Sequence, residues 1–273
     1  RRPPRSTLSS SSAASDVYKR QQKGGVGKTT TTVNLGTAMA ACDARVLLID
    51  MDPQGNLSTG LGISPLNRSI GIYDILSSKK TIQDCVINTD IPNLDIITAN
   101  ENLLGVEIEL SSDEDRAIKL KKTLKNINKE QENYDFILLD CPPALNIITL
   151  NALGASDGAI VPLQAEFFAL EGLSQLLKTI DGISSTINHN LKLSGVVLTM
   201  FDKRNNLSLQ VEEDVRSYLG KNVFETKIPR NIRLSEAPSH GIPALIYDYK
   251  CAGSEAYISL AREFLKKVNW EVK

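Results

Sequence analysis

The sequence predicts a doubly wound α/β domain, a mostly parallel β-sheet flanked by helices. Three observations carry that expectation. Short continuous apolar runs recur along the chain, helical stretches separate them, and a glycine-rich loop containing lysine stands directly before one of the helical stretches. Continuous apolar runs suit parallel strands covered on both faces, and strand–helix alternation is the pattern that builds such a sheet.

The predicted strands are residues 45–50 (RVLLID), 94–98 (LDIIT), 134–140 (YDFILLD), 158–163 (GAIVPL) and 194–200 (SGVVLTM). Helices are expected at 28–41, at 112–132 with apolar spacing at Ile118, Leu120, Leu124 and Ile127, and at 170–187, 208–219 and 254–268. The last carries Tyr257, Leu260, Ala261, Phe264 and Val268 on one face. That face is read as docking on the domain's own core rather than on a membrane. Residues 1–21 (RRPPRSTLSSSSAASDVYKRQ) differ from the rest in their Ser, Arg and Pro content. They are expected to be a disordered tail or a non-native fusion or assembly scar, and residues 22–273 a single domain. A phosphate-binding loop normally follows a buried apolar strand. Only residues 16–21 precede this one closely, and they make a poor central strand, so a first strand is expected to have been lost or replaced.

Composition narrows the function classes. The chain has 273 residues, 41% of them apolar and 23% charged, enough for a sizeable core. Thirty-one Lys and Arg against 32 Asp and Glu give a net charge of −1, which argues against a uniformly basic nucleic-acid binder but leaves room for a local basic patch. No apolar run reaches the roughly eighteen residues of a membrane span, so no transmembrane helix is expected; the scattered cysteines fit a reducing cytoplasm, and a cytoplasmic location is expected. Cys42, Cys85, Cys141 and Cys251 lack CxxC spacing, so neither a disulfide framework nor a zinc or iron–sulfur site is expected. His189 and His240 are isolated, which disfavours histidine catalysis.

The strongest chemical signal is Lys23-Gly24-Gly25-Val26-Gly27-Lys28-Thr29-Thr30. Glycines let backbone N–H groups converge on a phosphate, and the helix that follows adds its positive N-terminal end. Lys28 can neutralise the β- and γ-phosphates, and the Thr29 hydroxyl can ligate Mg²⁺. The common pattern has Gly five positions before Gly27; here Gln22 stands there, and a second lysine, Lys23, heads the loop. Asp50 and Asp140 end apolar strands, at the sheet edge where α/β domains bind ligands. Asp52 stands in an Asp-Pro-Gln-Gly stretch that is also good turn chemistry.

Five segments together resemble the deviant Walker A ATPases, and within them the ParA/Soj partition ATPases: 22–36 (QKGGVGKTTTTVNLG), 46–62 (VLLIDMDPQGNLSTGLG), 134–145 (YDFILLDCPPAL), 168–177 (FALEGLSQLL) and 228–243 (IPRNIRLSEAPSHGIP). The resemblance covers about residues 22–265. It implies an ATP- and Mg²⁺-dependent ATPase. Lys23 would reach across a dimer interface to the partner's nucleotide, and Lys28 would bind phosphate in cis. Asp52 would orient the attacking water, Asp50 would support the metal or the loop, and Asp140 would act near Mg²⁺ together with Thr29. Pro229 and Asn231 would contact adenine, and Arg204 and Arg233 would hold DNA. It further implies an ATP-dependent homodimer that binds double-stranded DNA without sequence preference, nucleoid association in the ATP state, and a ParB-type centromere-binding partner that stimulates hydrolysis. The alternative is a MinD-like, membrane-associated positioning ATPase. Pro-Gln-Gly-Asn after Asp52 and Arg-Asn-Ile-Arg at 230–233 favour the partition reading. A non-hydrolysing nucleotide-dependent scaffold is the rival from another class.

Overall fold

The computed structural model describes residues 6–10, 25–125 and 134–271. Its strands are β1 (Ser6–Ser10), β2 (Val46–Asp50), β3 (Val86–Asn88), β4 (Leu94–Ile97), β5 (Phe136–Asp140), β6 (Gly158–Gln164) and β7 (Lys192–Thr199). They form one sheet in the order β3-β4-β2-β5-β1-β6-β7. Every pairing is parallel except β3 with β4, which is antiparallel at the edge. Because β2 and β5 lie side by side in register, Asp50 stands opposite Asp140. The two acids therefore share the carboxyl end of the sheet.

The helices are α1 (Lys28–Ala40), α2 (Asn56–Gly60), α3 (Ile72–Leu76), α4 (Ile82–Cys85), α5 (Val106–Glu109), α6 (Lys119–Leu124), α7 (Ile147–Ala155), α8 (Ala169–Thr186), α9 (Asn206–Leu219), α10 (Ile232–Glu236), α11 (Ala244–Tyr247) and α12 (Ala252–Lys267). They cover both faces of the sheet. Alternate residues of a strand point to opposite faces, so Val46 and Leu48 pack with α1 and α12 while Leu47 and Ile49 pack with α3, α6 and α7. On the other half of the sheet, Val161, Leu163, Val196 and Leu198 pack with α8 and α9. Helix α1 is buried from Thr31 to Ala40. It lies between the sheet and α12, with Phe136 of β5 edge-on to Phe264 of α12 at 5.9 Å. Tyr257, Leu260, Ala261 and Phe264 are fully buried there. The apolar face of the last helix is thus covered by the domain's own core, and among the described residues no helix is long and apolar enough to cross a membrane.

At three places the structure adds to or departs from the expectations. The place of the first strand, between β5 and β6, is filled by the backbone of Ser6–Ser10, paired from Ser6 opposite Phe136 to Ser10 opposite Asp140. Five residues of the segment expected to be disordered or non-native therefore run as a central strand; residues 16–21 lie outside those described. The helix expected at 112–132 narrows to Lys119–Leu124, with residues 126–133 outside those described. Ahead of it the Asp113 carboxylate accepts the backbone N–H of Asp115 at 2.8 Å. That local bond holds a turn and competes with helix formation. Helix α7 is not among the helices expected from the apolar spacing. Its start is fixed by Asn146, whose side chain accepts the N–H groups of Ile148 and Thr149.

Candidate active site

A cleft of about 730 Å³ opens at the carboxyl end of the sheet. Its floor is the start of α1. Gly25 and Gly27 have φ of +118° and +86°, conformations that a side chain would strain. Gly27 is the N-cap of α1 and offers no capping side chain, so the first-turn N–H groups at Lys28, Thr29 and Thr30 have no capping acceptor on Gly27. Gly25 to Thr30 all line the cleft. The base of the loop is tied to the sheet by the Thr199 hydroxyl, which donates to the Val26 carbonyl at 2.8 Å. Lys23 and Gly24 lie outside the described residues.

The acids divide the work. The Thr29 hydroxyl donates to Asp140 at 2.7 Å, and the Thr32 hydroxyl donates to the other carboxylate oxygen at 3.3 Å. Asp140 is fully buried; desolvation and the nearby Asp50 push its pKa up to about 7, against the pull of Thr29 and Lys28. Lys28 is itself held below the usual lysine range by burial, which Asp140 and Asp52 partly offset. Thr29 and Asp140 are a hydroxyl and a carboxylate side by side under the phosphate loop. This oxygen-donor set fits Mg²⁺, which takes one or two protein ligands alongside substrate phosphates and water. Asp50 faces elsewhere. One carboxylate oxygen accepts the N–H and hydroxyl of Ser58 at 2.9 and 2.7 Å, and the other accepts the Asp52 N–H at 3.2 Å. Of the two roles expected of Asp50, metal or loop, these bonds account for the loop: a fully buried carboxylate with three donors on it anchors the chain after β2. Burial raises its pKa to about 6.

Asp52 lines the cleft and is half-buried. Its carboxylate accepts the Gln54 N–H at 3.0 Å and its carbonyl accepts the Gly55 N–H at 2.9 Å. It is both a turn former and a cleft residue. Pro229 and Asn231 are not among the described lining of the cleft. Pro229 bridges to Phe201, and Asn231 caps α10 by accepting the Arg233 N–H at 2.8 Å. The cleft wall comes instead from Pro238, Ile242, Pro243 and Ala244, later in the same segment, and from Pro142, Pro143 and Asn146 after β5. Most of these residues lie within the resembling segments, and the resemblance assigns them no role. Their only local signal is proline at a strand or helix boundary. Arg204 and Arg233 are both on the surface and both paired within the chain. Arg204 donates twice to Asp202, at 3.0 and 2.9 Å, and Arg233 bonds Glu236 at 2.8 Å with Asp248 at 3.4 Å.

A family model described as an AAA domain matches residues 17–193. The chain is 54% identical over 246 residues to the chromosome partitioning protein ParA of Caulobacter vibrioides, an alignment covering 90% of this chain and 92% of that protein. It is 46% identical over 246 residues to the chromosome-partitioning ATPase Soj of Treponema pallidum, covering 90% and 95%. Among solved structures it resembles cobyrinic acid a,c-diamide synthase from Mycobacterium smegmatis with bound ADP and magnesium, at a TM-score of 0.79 and 32% identity over 96% of this chain and 95% of that one. The fold is thus shared with a protein of another name, while the higher identities are to partition proteins. With about half of its residues identical over nine-tenths of its length, the chain belongs to the ParA/Soj family of chromosome-partitioning ATPases.

Proposed function

We propose that this chain is an ATP-driven switch for chromosome or plasmid partition, in which hydrolysis toggles it between a DNA-bound homodimer and free monomers. The observation that carries the reading is the convergence of Lys28, Thr29 and Asp52 on one cleft at the N-terminus of α1, with Asp140 directly beneath Thr29. Phosphoryl transfer to water needs positioning and charge neutralisation more than covalent chemistry. The N–H groups of α1 and its loop would hold the phosphates, and the Lys28 ammonium would neutralise their charge. Thr29 and Asp140 would hold Mg²⁺, which when bound supplies Lewis-acid stabilisation at the phosphate oxygens. The Asp52 carboxylate would orient the attacking water. Pro238, Ile242 and Pro243 offer an apolar wall on which a purine ring can rest, with Pro229 and Asn231 close in sequence as further base contacts. Lys23 would cross to the nucleotide of a second copy.

On this reading the ATP-bound dimer holds double-stranded DNA non-specifically through surfaces that include Arg204 and Arg233 and so sits on the nucleoid. A ParB-type partner stimulates hydrolysis and releases it. Differential affinity of the two states for DNA is what lets hydrolysis move the equilibrium. The test is Asp52→Ala. Hydrolysis should fall roughly a hundredfold, the size of a lost positioning interaction, while sedimentation with ATP shows a dimer that persists. Wild-type turnover in this variant would overturn the role given to Asp52. DNA binding that is equal with ADP, with ATP and without nucleotide would overturn the switch.

A further inference from the structure

Arg68 is 5% exposed, an unusual depth for a guanidinium. Its Nε donates to the Ile63 carbonyl at 3.0 Å, its Nη1 to the Gly55 carbonyl at 3.0 Å, and its Nη2 to the Thr59 hydroxyl at 2.9 Å and again to Ile63. All of these acceptors are uncharged, and the buried Asp50 acts on it only through space. Burying a charge on neutral partners is costly unless its hydrogen bonds are well made, and here they converge on one short segment. Gly55 is the N-cap of α2, with φ of +64°, and its N–H closes the turn onto Asp52. A Cβ at Gly55 would come within 2.5 Å of the guanidinium. The Arg68 carbonyl is in turn held by the Asn100 side chain at 2.5 Å. The turn that carries Asp52 is therefore gripped twice: by Asp50 through Ser58, and by Arg68 through Gly55, Thr59 and Ile63.

We propose that Arg68 is a positioning residue for hydrolysis: its guanidinium fork locks the Asp52–Gly60 turn and helix so that the Asp52 carboxylate stays aimed into the cleft. The proposal rests on the reading of Asp52 as the water-orienting group. Arg68 itself does not line the cleft, so nucleotide binding should survive its loss. The planar fork reaches acceptors on both sides of α2 at once, which a lysine ammonium cannot do.

The experiment is steady-state Mg²⁺-ATP hydrolysis by the full chain carrying Arg68→Met or Arg68→Lys, with thermal unfolding measured alongside. In Arg68→Met, kcat should fall on the order of tenfold to a hundredfold with KM changed less than about threefold, because a displaced catalytic group loses rate and not ground-state binding. Arg68→Lys should fall between wild type and Met. A folded Arg68→Met protein with wild-type kcat, or one whose kcat and KM deteriorate together, would sink the proposal. Should Arg68→Met not fold, Thr59→Val, at a position that also lines the cleft, removes one acceptor of the fork and should lower kcat; an unchanged kcat there counts against the proposal in the same way. Asp52→Ala separates the two readings. Full activity in that variant defeats the Asp52 role, whereas an inactive Asp52→Ala beside a fully active Arg68→Met defeats only the role of Arg68.

Discussion

At the scale of single residues, the balance between burial and charge at Asp140 has a consequence that can be measured. Its carboxyl is pushed from the ordinary aspartate range up to about 7, first by desolvation and then by Asp50. Between the unfolded value and about 7 the folded state therefore binds more protons than the unfolded state. Stability from this group is present at low pH and is lost as the pH rises through about 7, and Asp50 acts with the same sign through about 6. In protein free of metal and nucleotide, the stability of wild type relative to Asp140→Asn should decline by a few kcal/mol as the pH is raised from about 5 to about 8. Thermal unfolding of the two proteins across that range is the measurement. A difference that does not change with pH would mean that burial is not what governs this carboxyl. A bound cation favours the charged form, so Mg²⁺ with nucleotide should flatten the dependence.

At the scale of elements, the phosphate loop is only as fixed as α1, and α1 is held between the sheet and α12. Phe264 is fully buried against Phe136, and Tyr257 shares a hydrogen bond of 3.1 Å with Thr31 one turn into α1. Phe264→Ala should cost about 3–5 kcal/mol, the usual range for truncating a buried aromatic. Denaturant unfolding would read that loss. A cost under about 1 kcal/mol, the range of a surface change, would show that α12 is not part of the core. Packing also explains why this helix is unsuited to lying on a membrane: the face that would insert is the face that covers α1.

At the scale of the whole molecule, a net charge of −1 gives no general attraction to DNA. Any such attraction has to come from a local surface, and the two expected arginines are held beside Asp202, Glu236 and Asp248. The Arg204–Asp202 and Arg233–Glu236 pairs are surface pairs, which contribute little to stability, so phosphates can compete for the arginines. Binding of the ATP-loaded protein to duplex DNA should weaken linearly with the logarithm of salt concentration. Arg204→Ala and Arg233→Ala should each lower the slope by about one while leaving ATP hydrolysis without DNA unchanged. Slopes equal to wild type in both variants would move the DNA surface elsewhere on the molecule.

The sequence by itself determined what depends on local pattern. The glycine spacing of 24–30 marked the loop that lines the cleft from Gly25 onward, the apolar runs placed β2, β4, β5, β6 and β7 to within a residue or two, and the acids at the strand ends put Asp50 and Asp140 at the carboxyl edge of the sheet. These were legible because a strand end or a phosphate turn is built from consecutive residues. Other features needed residues far apart in the chain to meet, and only the tertiary structure decided them. The polar segment at 6–10 gives no apolar strand signal, yet parallel pairing to β5 and β6 uses backbone groups and makes it an interior strand. Asp50 turned to Ser58, the cleft wall came from 238–244 rather than from Pro229 and Asn231, and Arg68, an ordinary surface residue in the sequence, was drawn inside because three uncharged oxygens of a neighbouring turn and helix converge on its guanidinium.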